Sequence, residues 1–455
     1  MNHKLDLGKD SILKIFIQYA VPSVLGMLAM SLAGIVDGIF IGRYVGTNGL
    51  AAINLVYPLA ALALGISIMI GVGGSTVATT ELGAGKIKTA QNTFTVTIIL
   101  ITSFAIFVVL AGSLFMDSLI NLLGSDNLLK NDVKDYLSTI ILFFPFLMLT
   151  FILDAFIRSD GSPLFSVVSL IISALINIVL DYYFVAVFSW GLKGAAMATG
   201  ISQTAAFIIL SLYILNGKTK YRFVRPVFNA KKIKLMLFNG SSELVNEMSA
   251  GFSTYIFNLI LMTRLGAIGV AAYSVVGYGA MVGVMIFFGV AQAIQPGVSY
   301  NLGAENLDRI KAFLRLGTVV NVVVGVIMFL AMFFFAEPLA LIFAKDNLQL
   351  IKLTIHISKL FSFSFLLSGI NIVLSMFFTS MHRAKDSIII ALSRSLIFIL
   401  IGLAFLPPLL GNNGIWLVVV FAELMTLLLS LYLFKKKPLD ESNIHFVWKS
   451  LKQVS

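Results

Sequence analysis

The chain is 455 residues long, 59% hydrophobic and only 12% charged, about half the roughly 25% charged share of an average soluble protein. That balance leaves too little polar surface to cover the apolar side chains, so it excludes a water-soluble globule and fits a chain whose solvent is lipid. The net charge of +11 is concentrated at the ends of apolar runs, which speaks for membrane anchoring and against nucleic acid, and the absence of cysteine excludes disulfides, thiolate metal sites and cysteine nucleophiles.

A membrane-spanning helix needs about 20 mostly apolar residues. Reading from charge to charge predicts twelve. The opening MNHKLDLGKDSILK is polar with mixed charge and lacks a signal-peptide pattern. Helix 1 then runs from Ile15 to about Phe40, helix 2 lies within Asn48 to Thr80, helix 3 within Thr89 to Met116, helix 4 over about Tyr136 to Ile157, helix 5 from Ser162 to about Val185 and helix 6 from Gly194 to Leu215. Helix 7 covers about Leu237 to Thr263, helix 8 lies within Gly269 to Val298, helix 9 spans Leu316 to Ala336, helix 10 about Leu360 to Met381, helix 11 about Ser387 to Leu406 and helix 12 about Ile415 to Phe434. The organisation expected is an N-lobe over 1–215, a basic linker over 216–234, a C-lobe over 235–434 and a tail over 435–455.

Basic residues orient such a chain. With the N-terminus in the cytoplasm, cytoplasmic segments hold 23 of the 32 Lys and Arg, the opposite loops hold eight, and Arg394 lies inside helix 11. Lys218, Lys220, Arg222, Arg225, Lys231, Lys232 and Lys234 crowd the linker, and Lys435, Lys436 and Lys437 follow helix 12. Both termini are therefore expected in the cytoplasm, in a multi-pass protein of the cell membrane.

A shift of 220 residues brings like onto like. Gly46-x-x-Gly49-x-Ala51-Ala52 meets Gly266-x-x-Gly269-x-Ala271-Ala272, Leu82-Gly83-Ala84 meets Leu302-Gly303-Ala304, Asp126-Asn127-Leu128 meets Asp346-Asn347-Leu348, and Gly191-x-x-Gly194 meets Gly411-x-x-Gly414. The fold class expected is thus all-α and membrane-embedded: two six-helix bundles related by a pseudo-twofold axis along the membrane normal. Transporters built from repeats place their substrate near the repeat interface.

A charge in the bilayer centre costs about 2.5–3.5 kcal/mol on insertion scales, so each needs a reason. Asp37 ends helix 1, as a cation or proton site or as an interfacial carboxylate beside Arg43. Asn177 and Asp181 share one face of helix 5 at i, i+4 and suit a Na⁺ or a proton; the plainer alternative is an Asp at the helix end. Glu243 and Glu247 repeat that spacing in helix 7, where they repel one another and invite a cation; Glu243 alternatively caps the helix or meets the linker. Asp154 and Arg158 read as a structural pair, and Arg394 and Glu423 as a pair across helices 11 and 12. Gln292, Gln295 and Pro296 mark a polar stretch of helix 8. Met27, Met30, Tyr57, Tyr278, Met281 and Met285 are candidates for an adaptable cavity wall, against the simpler reading of packing or lipid contact. His3, His356, His382 and His445 are scattered and form no metal-ligand pair. No phosphate-binding loop or hydrolase signature occurs, so neither ATP use nor enzyme chemistry is expected.

Pro22, Asp37-Gly-Ile-Phe-Ile-Gly-Arg43, Gly46, Gly49 to Ala52, Pro58, Leu82-Gly83-Ala84, Arg158-x-x-Gly161-x-Pro163, Asn177-x-x-Leu-Asp181 and Gly194-Ala195-Ala196 together resemble the MATE (multidrug and toxic-compound extrusion) family, over nearly the whole chain. The resemblance implies a two-lobed exporter of bulky, often cationic amphiphiles in exchange for H⁺ or Na⁺, with no other cofactor. It places Asp37, Asn177, Asp181 and Thr199 at the N-lobe cation site of the DinF-like prokaryotic branch. Helix 10 lacks the Asp of the NorM-like branch, Asn371 being its nearest polar residue. That branch's helix 7 Glu falls at Ala250, one turn after Glu247. The reading is a cation-coupled multidrug antiporter, monomeric in the bilayer, with Glu243, Glu247, Met27, Tyr57, Tyr278, Met281 and Gln292 toward the drug. Export of one dedicated metabolite or lipid-linked precursor, or an uncoupled channel or scramblase, are the alternatives.

Overall fold

The computed structural model describes residues 5–123, 129–217, 219–343 and 347–440. Asp126, Asn127, Leu128, Lys218, Asp346, His3, His445 and the tail beyond Asp440 lie outside the described residues. Every regular element among them is helical. In order they are α1 (Ile12–Tyr44), α2 (Thr47–Gly83), α3 (Ile87–Leu114), α4 (Lys130–Ser159), α5 (Pro163–Val187), α6 (Gly191–Leu215), α7 (230–265), α8 (267–303), α9 (Leu307–Phe334), α10 (Leu348–Ser362 and Phe365–Ser380), α11 (Ala384–Leu410) and α12 (Asn412–Lys436).

Two of these need explaining. The helix over Ala230–Gly303 is 74 residues long, but Gly266 inside it has φ 64° and ψ −162°, a conformation open essentially to glycine alone. It therefore counts as two spans meeting at one residue. Gly46 does the same between α1 and α2, at φ 95° and ψ −170°. α10 is bent by 50° at its break and counts as one span. Twelve spans result among the described residues. α4 and α10 both begin earlier than their apolar cores: charged turns at Lys130 and Lys352 prolong the helices beyond the hydrophobic run that the sequence reading detects.

Helix bounds expose the repeat directly. Thr47–Gly83 recurs as 267–303 and Ile87–Leu114 as Leu307–Phe334, each 220 residues on. Phe144–Ser159 recurs as Phe365–Ser380 and Gly191–Leu215 as Asn412–Lys436, each 221 residues on. The constant register read from the sequence thus gains one residue ahead of α10.

The chain forms two compact units. The first holds the N-terminal residues to Asp10 and Leu25–Gly240; α2 packs on α3 and α4, and α6 on α4 and α5. The second holds Ser11–Val24 and the described residues from Ser241 onward; α9 packs on α10, and α12 on α11 and α10. α1 and α7 therefore each contribute their first turns to one unit and the remainder to the other. In the first unit α7 meets α2 backbone to backbone: a Cβ on Gly240 falls 1.9 Å from the Met69 carbonyl, and one on Gly73 falls 2.0 Å from that of Met236. Small residues allow such approach where helix association cannot draw on a hydrophobic driving force.

The basic segment ahead of α7 is strapped to the first unit. Lys220 N–H donates to Asp160 Oδ1 (2.8 Å), Val224 N–H to Thr95 Oγ1 (3.1 Å), and Val227 and Asn92 bond each other twice (2.8 and 3.0 Å). Tyr221 is fully buried against Phe94 and Phe156; burial pushes its phenol far above the ordinary value, so the hydroxyl keeps its proton beside Thr79. Lys232 closes the strap: its Nζ lies 2.6 Å from Glu81 and 3.1 Å from Thr93, all three buried.

The one-residue turns set a test. Gly46→Ala and Gly266→Ala are each expected to cost about 1–3 kcal/mol, read as a lower unfolding midpoint in detergent. Gly34→Ala, where a Cβ meets nothing within 4 Å, is expected to leave it unchanged or slightly raised.

Candidate functional site

In the first unit, Asp37 stands near the end of α1 and Asp181 near the end of α5. The segment Tyr182–Val187 directly after Asp181 is π-helical, a widening often found at functional sites. The two carboxyl groups lie within hydrogen-bonding reach of one another. Asp181 is fully buried and Asp37 half-buried. Neither Asp181 oxygen has a donor, nor has Oδ1 of Asp37. Arg43 does not compensate Asp37; its guanidinium sits over the Tyr44 ring at 5.7 Å. Asn177 is buried one turn before Asp181, and its Nδ2 reaches Thr199 Oγ1 of α6 at 3.5 Å.

The structure therefore brings Asp37 together with Asp181, and Asn177 together with Thr199, with Asn177 and Asp181 on one face of α5. It adds Tyr136 of α4, which stands in the field of both carboxylates. The sequence reading took Tyr136 only as a helix end. Two facing carboxyls are both acceptors when ionised. They are compatible with a bilayer interior only if one carries a proton or a cation lies between them. Among the described residues no three His, Cys, Asp or Glu side chains gather as metal ligands. Two carboxyls with neutral amide and hydroxyl oxygens suit a proton or a monovalent hard cation better than a divalent ion.

The second unit carries a different polar centre. Arg394 of α11 meets Glu423 of α12, Nε to Oε1 at 2.8 Å. Asn371 of α10 donates to Glu423 Oε2 at 2.7 Å and to its carbonyl at 2.8 Å. Arg394 lies in a second π-helical segment, Ser393–Ile397, where Ser253 of α7 donates to the Ser395 carbonyl. Beside this pair is a cavity of about 20 Å³, lined in part by Ser242, Glu243, Asn246, Ser375 and Arg394 and large enough for one water. Glu247 lies close enough to act on Glu243 electrostatically.

The repeat shows how the units diverged. With the 221-residue shift, Asn371, Arg394 and Glu423 fall on Thr150, Ser173 and Ser202, where Ser173 donates to the Ser202 carbonyl at 2.7 Å. In reverse, the first unit's Asp154, Arg158 and Ser166 fall on Ser375, Thr379 and Ser387. Asp154 pairs with Arg158 at 2.8 Å and accepts from Ser166; Ser375 and Thr379 meet Ser387 through hydroxyls at 3.2 and 2.8 Å. Each unit is charged where its counterpart is neutral. Both ion pairs read from sequence adjacency form.

The remaining cavity candidates divide between units. Met27 is half-buried and Tyr57 is 58% exposed in the first; in the second, Met281 and Gln292 are half-buried and Tyr278 is 48% exposed. α8 runs unbroken through Pro296.

The protein family described as MatE matches residues 22–183 and 246–404. "Multidrug export protein MepA" of Staphylococcus aureus (strain MRSA252) is 24% identical over 436 residues, covering 94% of this chain and 95% of its own. The protein of the same name from Staphylococcus saprophyticus is 26% identical over 422 residues, covering 90% and 89%. Among solved structures, a crystal structure of MATE in complex with MaL6 superposes with a TM-score of 0.92 at 18% identity, covering 99% of this chain and 100% of the other. An outward-facing multidrug resistance MATE family transporter of the MOP superfamily gives 0.89 at 19% identity, covering 96% and 98%.

The carboxyl pair generates a prediction. Asp181→Asn supplies Asp37 with a permanent donor. The variant is expected to unfold at or above the wild-type temperature, and its midpoint is expected to respond less to pH and to Na⁺. A wild-type response in the variant would separate the pair from ion binding.

Proposed function

The chain belongs to the MATE family of transporters, a multi-pass membrane protein and not an enzyme, and from that premise we propose that it is a multidrug exporter driven by a monovalent cation. The observation that carries the coupling is the carboxyl pair Asp37–Asp181, buried in apolar helices with oxygens that lack donors. A site that must hold a proton or cation in one state and release it in another has the differential binding energy that coupling requires. Asn177, Thr199 and Tyr136 complete its oxygen donors. An N-lobe site of this make-up is what supports assignment to the DinF-like branch and antiport of H⁺ or Na⁺ against drug. An uncoupled channel has no need of such a pair.

The substrate reading rests on the relatives' shared description as multidrug export proteins and on Glu243 and Glu247, which favour bulky cationic amphiphiles. Basic residues concentrated around the termini, the linker and the α8–α9 turn support a cytoplasmic placement of both ends in the cell membrane. The substrate is a small molecule and the chain acts as a monomer.

Asp37→Asn keeps shape and removes charge. Reconstituted into proteoliposomes, it is expected to insert normally and to lose gradient-driven dye efflux to background. Export at the wild-type rate under the same gradient would move coupling away from this pair. Glu247→Gln is expected to reduce transport of a lipophilic cation several-fold while sparing a neutral dye; an equal effect on both would remove charge selection from α7.

A further inference from the structure

We propose that Arg394 is a tethered cation that exchanges between Glu423 and Glu243, and that a cationic substrate at the α7 carboxylates competes with it. The proposal rests on the substrate reading of Glu243 and Glu247 given above.

Four observations carry it. The guanidinium has five N–H donors, and among the described residues only Nε–H is engaged, by Glu423. The same side chain lines the water-sized cavity into which Glu243 also faces. Glu243 makes no hydrogen bond or ion pair among the described residues. Glu423 is held independently by two bonds from Asn371, so it keeps a donor and its place when the arginine leaves. Lastly, the equivalent first-unit positions join α5 to α6 through neutral hydroxyls alone. Packing at this level therefore does not demand a charge, and the ion pair occurs in the unit that also carries Glu243.

The exchange follows from cost. An unpaired guanidinium inside the membrane is expensive, so Arg394 occupies one carboxylate or the other. Bound to Glu423, as in this structure, it leaves Glu243 open to an external cation. Bound to Glu243, it fills that role itself and excludes the substrate. Substrate and Arg394 thus bias one two-state element in opposite directions, which is the form a coupling free energy takes.

The test uses the purified full-length chain in nanodiscs, with radiolabelled tetraphenylphosphonium as the cationic probe and Nile red as the neutral one. Glu423→Gln sends the arginine to Glu243 and is expected to weaken tetraphenylphosphonium binding roughly three- to tenfold. Arg394→Gln combined with Glu423→Gln removes the competitor without stranding a buried charge, and is expected to tighten it roughly three- to tenfold relative to wild type. Nile red binding is expected to stay within about twofold of wild type throughout. Equal losses for both probes, or a double variant that binds the cation no better than Glu423→Gln alone, would make the pair purely structural and overturn the proposal. The combined Glu243→Gln, Glu247→Gln variant separates the two readings. If it leaves cation binding intact, the substrate reading of α7 fails. If it abolishes cation binding while the Arg394 and Glu423 variants do not shift affinity in opposite directions, only the exchange fails.

Discussion

Hydrocarbon offers no hydrogen-bond partners, so every polar atom within the twelve spans must be satisfied by the chain itself or else by a mobile ligand. Most are satisfied locally. Serine and threonine hydroxyls turn back to carbonyls four residues earlier, as in Ser67 to Ala63, Thr80 to Thr76 and Ser159 to Ala155. Others close interhelix contacts, as Ser173 does with Ser202. Against that background, the carboxyl oxygens of Asp37 and Asp181 stand out because nothing in the chain donates to them. The same constraint gives the second unit its Arg394–Glu423–Asn371 network, in which each charge has a fixed partner. One unit leaves room for an outside cation and the other supplies a cation of its own.

The halves share a backbone plan and differ in where charge sits. Helix bounds recur to the residue, and Gly191 and Gly411 share φ near 57–58° at corresponding turns. Yet Asp154–Arg158 faces a hydroxyl triad in the other half, and Arg394–Glu423 faces a hydroxyl pair. A neutral hydrogen bond and an ion pair of similar reach can both join neighbouring helices, so packing tolerates either. Electrostatics does not, because a charged pair fixes a local field that a hydroxyl pair lacks. Duplicated packing with exchanged charge is how one architecture acquires two unlike interiors.

Much of this was legible in the sequence. Apolar runs bounded by charges located all twelve helices, and the glycine-rich blocks exposed the repeat. The intramembrane charges pointed to Asp37, Asp181 and the pair Arg394–Glu423 because each is costly enough to need a reason. Tyr136 escaped notice since a tyrosine at the end of an apolar run looks like any interfacial aromatic; only its position beside two carboxylates gives it meaning. The linker escaped too. Its lysines and arginines suggested a solvated loop, whereas its backbone is bonded to Asn92, Thr95 and Asp160 and its Lys232 is buried on Glu81. Long-range pairing of that kind leaves no periodicity to read.

The sharing of α1 and α7 between units bears on how the molecule is made. The first unit includes residues up to Gly240, and the second includes Ser11–Val24. As the ribosome works from the N-terminus, the earlier unit lacks part of its helical complement until the strap and the opening turns of α7 have emerged. The later unit, conversely, depends on a segment synthesised before any of its other helices. A gene severed within 216–229 would hand each product a helix whose opening belongs with its sibling. Duplication gave this protein two similar halves, but that exchange of segments means neither half was left a complete inheritance.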